Sequence, residues 1–135
     1  MDNSNMRSWG IAILRVIVGI VFLMHGSQKL FTFGFHGVAG MFGHMGIPLP
    51  AVSAVVVTLV EFLGGLALIA GLGTRVAAAL LAIDMAGAIL FVHGKNGFFG
   101  PMGYEFPLTL LASCVCLMLV GGGALSADGI FHRKA

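Results

Sequence analysis

Four long apolar runs constrain this chain more than any other feature. They cover roughly residues 9–31, 51–72, 76–92 and 104–121. A helix needs about 20 mainly apolar residues to cross a bilayer. With short connections, the 135 residues hold four crossings and little else. The sequence therefore predicts a single all-α domain, residues 1–135, folded as an integral membrane antiparallel four-helix bundle.

The composition excludes a water-soluble fold. The chain is 59% apolar and only 9% charged, whereas soluble domains carry about 25% charged residues. The net charge of +2 comes from scattered basic residues, so no nucleic-acid partner is expected. The apolar run after Arg7 is too long for a cleaved signal peptide and is interpreted as a retained helix.

The connection between the first two runs is rich in glycine. Glycine recurs there at every third position from Gly34 to Gly46, among Phe, His and Met residues. This pattern predicts a short apolar helix at the membrane surface, ending at Gly46.

Basic residues in the short connections indicate the orientation. The end of the bundle with both termini carries four of them, whereas the other end carries Lys29 and Lys95. Because basic residues accumulate on the cytoplasmic side, both termini are predicted to be cytoplasmic. The four residues are Arg7, Arg75, Arg133 and Lys134.

Three charged residues fall inside the predicted spans. Glu61 and Asp84 lie near the midplane, and the long side chain of Arg15 reaches toward them from the terminal side. An arginine between two carboxylates would keep both ionised. Such residues are functional candidates by default, although a purely structural role in fixing helix register explains the pattern equally well.

A second polar group lies toward the other end of the bundle. On the first helix, Gly26 and Lys29 share the face of Arg15 by 4-3-4-3 spacing. Glycines on that face predict close helix packing, and Lys29 is expected to pair with Glu105. This group suits the head group of a quinone, but solvation by lipid head groups is the simpler reading. Its members are His25, Lys29, His93, Tyr104 and Glu105.

No metal site or cofactor motif is expected. The His and Met residues would suit copper, but no compact histidine pair occurs. Cys114 and Cys116 are two apart, so on a helix they point to nearly opposite sides. Motifs for nucleotides or iron–sulfur clusters do not occur, and nothing here holds a flavin alone.

Several short motifs, in order along the chain, resemble the DoxX family of small membrane proteins. They are Arg15-x-x-x-Gly19, His25-Gly26-x-x-Lys29-Leu30, Gly46-Ile-Pro48, Glu61-x-x-Gly64-Gly65-x-x-Leu68, Gly71-x-x-Thr74-Arg75 and Glu105 at the start of the last helix. The resemblance implies a four-helix membrane fold in a bacterial inner membrane. The family takes its name from a subunit of an archaeal thiosulfate:quinone oxidoreductase, which implies a link to redox systems by analogy alone. It supplies no catalytic residue set.

Three functions follow as hypotheses. The leading one is a small membrane subunit of a quinone-linked oxidoreductase or redox-homeostasis system, not catalytic alone. Such a subunit would anchor a soluble redox partner, or a second copy of itself, and contribute to a quinone pocket. The second is a carrier or binding protein for a small molecule, using Arg15, Glu61 and Asp84. The third is a structural or assembly role.

Overall fold

The computed structural model describes residues 2–134, with side chains through residue 131, and within them it is all-α. Two helical stretches continue past an α-helix through a π-helical turn, at Gln28–Phe33 and Ile89–His93. The α-helices are α1 Asn3–Ser27, α2 Gly34–His44, α3 Pro50–Ala70, α4 Thr74–Ala88, α5 Glu105–Val120 and α6 Ala127–Lys134.

Three helical stretches of the described chain are long and apolar enough to cross a membrane. They are Asn3–His44, Pro50–Ala70 and Thr74–Asn96. The fourth predicted span corresponds to α5, which is equally apolar but has only 16 residues. The prediction of an all-α membrane protein is therefore confirmed.

Burial in this chain is the reverse of that in a water-soluble protein. Large apolar side chains such as Ile13, Ile83 and Leu90 are exposed, whereas Arg15, Thr58 and Glu61 are buried. Lipid can cover the exposed side chains, but it cannot solvate the buried polar ones. The polar residues therefore concentrate between the helices.

Helices α1 and α3 touch backbone to backbone through glycines. A Cβ atom added to Gly26 would lie 2.4 Å from the Phe62 nitrogen, and one on Gly65 would lie 2.5 Å from the Leu23 nitrogen. No side chain larger than glycine fits these positions without moving a helix. The close packing predicted from the glycines on α1 is present, and it is the most extensive helix contact among the described residues.

The predicted short helix between the first and second spans is α2. It begins at Gly34, whose φ of 71° turns the chain sharply after the π-helical turn, and it stops just before Gly46, whose φ is 77°. Val38 and Phe42 bury themselves against Ala54 of α3. This small apolar cluster ties α2 to α3 at the end of the bundle away from the termini, which we call the loop face.

A short helix, α6, follows the last long helix, beyond the four runs from which the spans were predicted. Helix α6 lies beside the turn between α3 and α4, where the Asp128 nitrogen donates to the Gly71 carbonyl at 3.0 Å. The Ala124 nitrogen donates to the Ser8 carbonyl at 3.1 Å, which joins the beginning and the end of the chain. We call this end of the bundle the terminal face.

Candidate membrane-embedded charge site

A lysine and a glutamate form an ion pair inside the helix bundle near the loop face. The Nζ of Lys29 lies 2.8 Å from Oε1 of Glu61. The Glu61 side chain is 5% exposed and that of Lys29 is 19% exposed. The close contact of Gly26 with the backbone of Phe62 brings the two helices together one turn before Lys29. The site therefore depends on the glycine packing between α1 and α3.

Asp84 of α4 completes the charged cluster. Its carboxyl group lies beside that of Glu61, within hydrogen-bonding reach, and near enough to Lys29 to interact with its charge. The buried thiol of Cys114, on α5, also lies near Asp84. The four longer helices α1, α3, α4 and α5, or the segments that continue them, each contribute one group to what we call the Lys29 site. Its members are Lys29, Glu61, Asp84 and Cys114.

The π-helical turn places Lys29. It covers Gln28–Phe33 and continues α1 directly, so the side-chain positions there depart from the α-helical pattern. Short π-helical segments inside α-helices often occur at functional sites. The hydropathy pattern gave no sign of this turn, since π-helical and α-helical segments share the same apolar composition.

Two buried oxygen atoms near this level lack a hydrogen-bond partner among the described residues. One is Oδ2 of Asp84 and the other is Oγ1 of Thr58. Thr58 is fully buried and lies one turn before Glu61 on the same face of α3. Buried polar groups in proteins are nearly always hydrogen-bonded. The Lys29 site therefore has hydrogen-bonding capacity that the described side chains do not use.

Arg15 does not join Glu61 and Asp84, which corrects the predicted three-residue cluster. Its guanidinium, only 1% exposed, donates instead to backbone carbonyls. Its Nε donates to Leu68 at 2.8 Å, and its terminal nitrogens donate to Gly122, to Ala124 at 3.1 Å and to Leu125 at 3.0 Å. Arg15 thus fastens the end of α3 to the segment after α5. We call this contact region the terminal junction.

The register of α1 on α3 explains the correction. Gly26 faces Phe62 and Gly19 faces Ile69, so the two antiparallel helices advance in step. The position opposite Arg15 then falls just past the end of α3, about 18 Å from Glu61 at 1.5 Å per residue. In addition, side chains on a helix point back toward its N-terminus. Arg15 therefore points away from Glu61, toward the terminal face.

The remaining polar residues of the loop face separate into two places. His25 is exposed on α1, with its ring 6.1 Å from that of Phe106 and near the charges of Lys29 and Glu61. His93 ends the π-helical turn after α4, and its Nδ1 lies 3.0 Å from the carbonyl of Met102 in the following loop. Only His25 therefore lies beside the Lys29 site.

Glu105 and Tyr104 begin α5 rather than closing a pocket. The Glu105 nitrogen donates to the Phe98 carbonyl at 3.1 Å, and the Tyr104 ring packs edge-on against the Phe98 ring. The expected pairing of Lys29 with Glu105 is corrected, because Lys29 is engaged with Glu61. The sequence did not predict this, because it placed Glu61 near the midplane with Arg15 and left Glu105 as the acidic residue at the level of Lys29.

The chemistry available at the Lys29 site is that of proton donors and acceptors. It has one ammonium group, two carboxyl groups and a nearby imidazole. Among the described residues, no three His, Cys, Asp or Glu side chains are grouped to hold a metal ion. The arrangement suits hydrogen bonding to a polar head group or transfer of a proton.

Comparison with known proteins identifies relatives along most of the chain. The profile of the DoxX family matches residues 10–94. A Bacillus subtilis protein named "Putative oxidoreductase CatD" is 38% identical over 119 residues, which cover 88% of this chain and 84% of that protein. An uncharacterized membrane protein of Mycobacterium tuberculosis is 33% identical over 136 residues, covering 93% of this chain and 83% of its own length.

A third relative adds a cellular location. The Escherichia coli inner membrane protein YqjF is 30% identical over 129 residues, covering 93% of this chain and 94% of that protein. The chain is thus similar to membrane proteins of bacteria, including inner membrane proteins. No solved structure matches it at a significant level.

Proposed function

This chain belongs to the DoxX family of membrane proteins, and from that premise we propose that it is the membrane subunit of a quinone-linked redox system. The observation that carries the proposal is the Lys29–Glu61 ion pair, set between membrane helices with His25 beside it. Both Lys29 and His25 can donate hydrogen bonds to a carbonyl oxygen. The name of the Bacillus subtilis relative, an oxidoreductase, agrees with such a role.

An apolar groove on the two helices that carry Glu61 and Asp84 offers a surface for the tail of a quinone. It lies between α3 and α4 and measures about 380 Å³. Val60 and Leu80 line its loop-face end. Val60 directly precedes Glu61 in the sequence, and Leu80 lies one helical turn before Asp84. A quinone head at the site would thus leave an apolar path for its chain. The other lining residues are Leu59, Leu63, Gly64, Ala67, Leu72, Gly73, Val76 and Ala77.

The protein's part in the reaction is to bind, orient and supply protons. A bound quinone takes up two electrons and two protons to become a quinol. The electrons would come from a soluble partner that carries a redox cofactor and oxidises its own substrate. Lys29 and His25 would orient the head group, and the carboxyl groups of the Lys29 site would exchange protons with it. This chain alone would not turn over.

Quinone binding is tested on the purified full-length chain. We expect quinone to be extracted from the wild-type protein, and Lys29→Met to weaken binding of a short-chain quinone about tenfold or more, because a hydrogen bond to a charged donor contributes about 1.5–3 kcal/mol. Lys95→Met, in the exposed loop, is the matched control and should bind normally. Absence of quinone from the wild type, or equal effects of the two substitutions, would contradict the proposal.

We further propose that α5 completes a fourth crossing and that both termini are cytoplasmic. The hydrogen bond between Ala124 and Ser8 joins the start of α1 to the segment after α5, which supports an even number of crossings between them. Basic residues are more numerous on that face than on the loop face. A reporter active only in the periplasm should be silent at the C-terminus and active when inserted near Gly40. The opposite pattern would reverse the orientation.

A second candidate is a carrier for a small carboxylic acid. It is favoured by the partial exposure of Lys29 beside the nearly enclosed Glu61, because an entering carboxylate could take the place of Glu61 on the ammonium group. A carrier should move labelled acid across proteoliposomes without any redox partner, and Lys29→Met should stop that flux. Flux that is the same in empty liposomes would exclude this candidate.

A further inference from the structure

We propose that Glu61 and Asp84 hold one exchangeable proton between them, so that the Lys29 site is a proton-binding site within the membrane. This inference deepens the proposed function, because it names the groups that would supply protons to a bound quinone. It nevertheless rests on features of the chain itself and requires no quinone.

The first argument is the count of charges. Lys29 carries one positive charge, while Glu61 and Asp84 together carry two negative charges when both are ionised. The cluster would then hold one uncompensated negative charge between membrane helices, where an unpaired ion is costly. Binding of a single proton makes the cluster neutral. No other described arginine or lysine pairs with these carboxyl groups, since Arg15 is engaged at the terminal junction.

The second argument is the geometry of the two carboxyl groups. They lie within hydrogen-bonding reach of each other, yet an ionised carboxylate can only accept hydrogen bonds. Two carboxyl groups can therefore bond to each other only if one of them carries a proton. Glu61 already accepts a hydrogen bond from Lys29 at 2.8 Å, whereas no described cation is hydrogen-bonded to Asp84. The proton consequently belongs on Asp84.

The third argument is the unused hydrogen-bonding capacity at this level. Oδ2 of Asp84 and Oγ1 of Thr58 are buried without a partner among the described residues. A carboxylic acid on Asp84 turns one of its oxygens from an acceptor into a donor, which gives that group a partner in the Glu61 carboxylate. Thr58 is left as a second polar group on the face of α3 that leads toward the loop face.

A route for exchange begins at Lys29. Its side chain is 19% exposed, against 5% for Glu61, and His25 stands beside it on α1. Three helices thus present groups to Asp84. The first helical stretch contributes Lys29 with His25 nearby, α3 contributes Glu61 and α5 contributes Cys114. Protons would enter past Lys29 and His25, whereas the terminal face is closed by the terminal junction.

Infrared spectroscopy of the full-length chain in lipid nanodiscs tests this directly. Quinone is extracted first, so that the result does not depend on the proposed function. We expect the wild type at neutral pH to show the C=O stretching band of a protonated carboxylic acid, shifted in D₂O. The chain has only five acidic side chains, which makes the assignment by substitution direct.

The substitutions have definite expected outcomes. Asp84→Asn should abolish the band, because Lys29 and Glu61 then balance each other without a proton. Glu61→Gln should also abolish it, because Lys29 then pairs with an ionised Asp84. Lys29→Met should keep the band, since two carboxyl groups remain with no cation. Glu105→Gln at the start of α5 is the matched control and should leave the band unchanged.

The result that would overturn the proposal is equally definite. A wild-type protein without a D₂O-sensitive carboxylic acid band has no such proton. A band that persists at full intensity in both Asp84→Asn and Glu61→Gln belongs elsewhere in the chain. If neither variant folds, the spectra of the wild type and of Lys29→Met still test the proposal, because both are expected to show the carboxylic acid band. A positive spectrum in a protein that binds no quinone would leave this proton site standing and remove the quinone proposal alone.

Discussion

Arg15 and Lys29 both reach α3 from one continuous helical stretch, but they meet different environments. The guanidinium of Arg15 is almost fully buried and donates four hydrogen bonds to backbone carbonyls. The ammonium of Lys29 is partly exposed and pairs with a side-chain carboxylate, beside a second carboxyl group. A charged group whose hydrogen bonds all go to backbone carbonyls stabilises the fold. A charged group paired with a side-chain carboxylate can instead exchange that partner for a ligand or take part in proton transfer.

The glycines follow the same division. Gly26 joins α1 to α3 next to the Lys29 site, whereas Gly71 and Gly122 crowd against Ser126 at the terminal junction. Residues of four motifs that are scattered along the sequence therefore come together at these two places. Lys29 and Glu61 meet near the loop face. Arg15 and Gly71 lie together at the terminal junction.

Substitution of Arg15 should have the largest effect on stability. In Arg15→Ala, four backbone carbonyls lose a charged donor, and hydrogen bonds to charged groups contribute about 1.5–3 kcal/mol each. We expect a loss of at least about 3 kcal/mol and little folded protein in the membrane, measured by thermal unfolding in detergent. Arg7→Ala, at an exposed position, is the control. Equal stability of the two variants would place Arg15 among the surface charges and remove the contrast with Lys29.

Substitution of Gly26 comes next. The Cβ of Gly26→Ala would lie 2.4 Å from the Phe62 nitrogen, so α1 and α3 must separate. Overpacking of this kind costs about 1–3 kcal/mol, and it should also lengthen the Lys29–Glu61 pair. Gly40→Ala on α2, where no atom lies within 4 Å, should be tolerated. Unchanged thermal stability of Gly26→Ala would show that the two helices do not touch through their backbones.

Substitution of Lys29 should affect stability less than activity. Lys29→Met leaves Glu61 without its cation, but the Asp84 carboxyl group lies beside it and a proton can compensate. We expect a loss of about 1–2 kcal/mol, below the 3–5 kcal/mol typical of a fully buried broken pair, with a larger loss of quinone binding. The double variant Lys29→Met with Glu61→Gln should recover stability without recovering binding. A loss as large as that of Arg15→Ala would make Lys29 a structural residue.

The smallest effect is expected at Asp128. Its carboxylate accepts hydrogen bonds from the backbone nitrogens of Gly73 at 2.8 Å and Thr74 at 2.9 Å, at the start of α4. Loss of such a cap costs about 0.5–2 kcal/mol, so Asp128→Ala should lower the unfolding temperature modestly, and Asp128→Asn should lower it less. Quinone binding at the distant Lys29 site should be unchanged. A change there would mean that the two regions are coupled.

The helices and the close packing at glycines could be predicted from the sequence. The length of an apolar run and the spacing of small residues can both be read from the sequence without knowing the tertiary structure. The sequence also predicted that Glu61 and Asp84 lie at a similar depth in the membrane, since each is near the middle of its span. It misplaced Arg15 and Lys29 because a partner across the bundle depends on helix register and side-chain direction. The family profile stops at residue 94, so it gave no hint that Arg15 binds Gly122, Ala124 and Leu125.

The partners of Arg15 also have a consequence for how the protein is made. Its carbonyl acceptors in the segment after α5 lie 107 to 110 residues downstream, so the first helix enters the bilayer long before they are synthesised. Until then the nascent chain holds a guanidinium in the membrane before most of its hydrogen-bond acceptors have been synthesised. The carbonyl groups of Gly122, Ala124 and Leu125, which follow the last long helix, complete the hydrogen bonding of this guanidinium. A chain that stops after α4 would therefore leave Arg15 in the membrane without three of its four carbonyl acceptors.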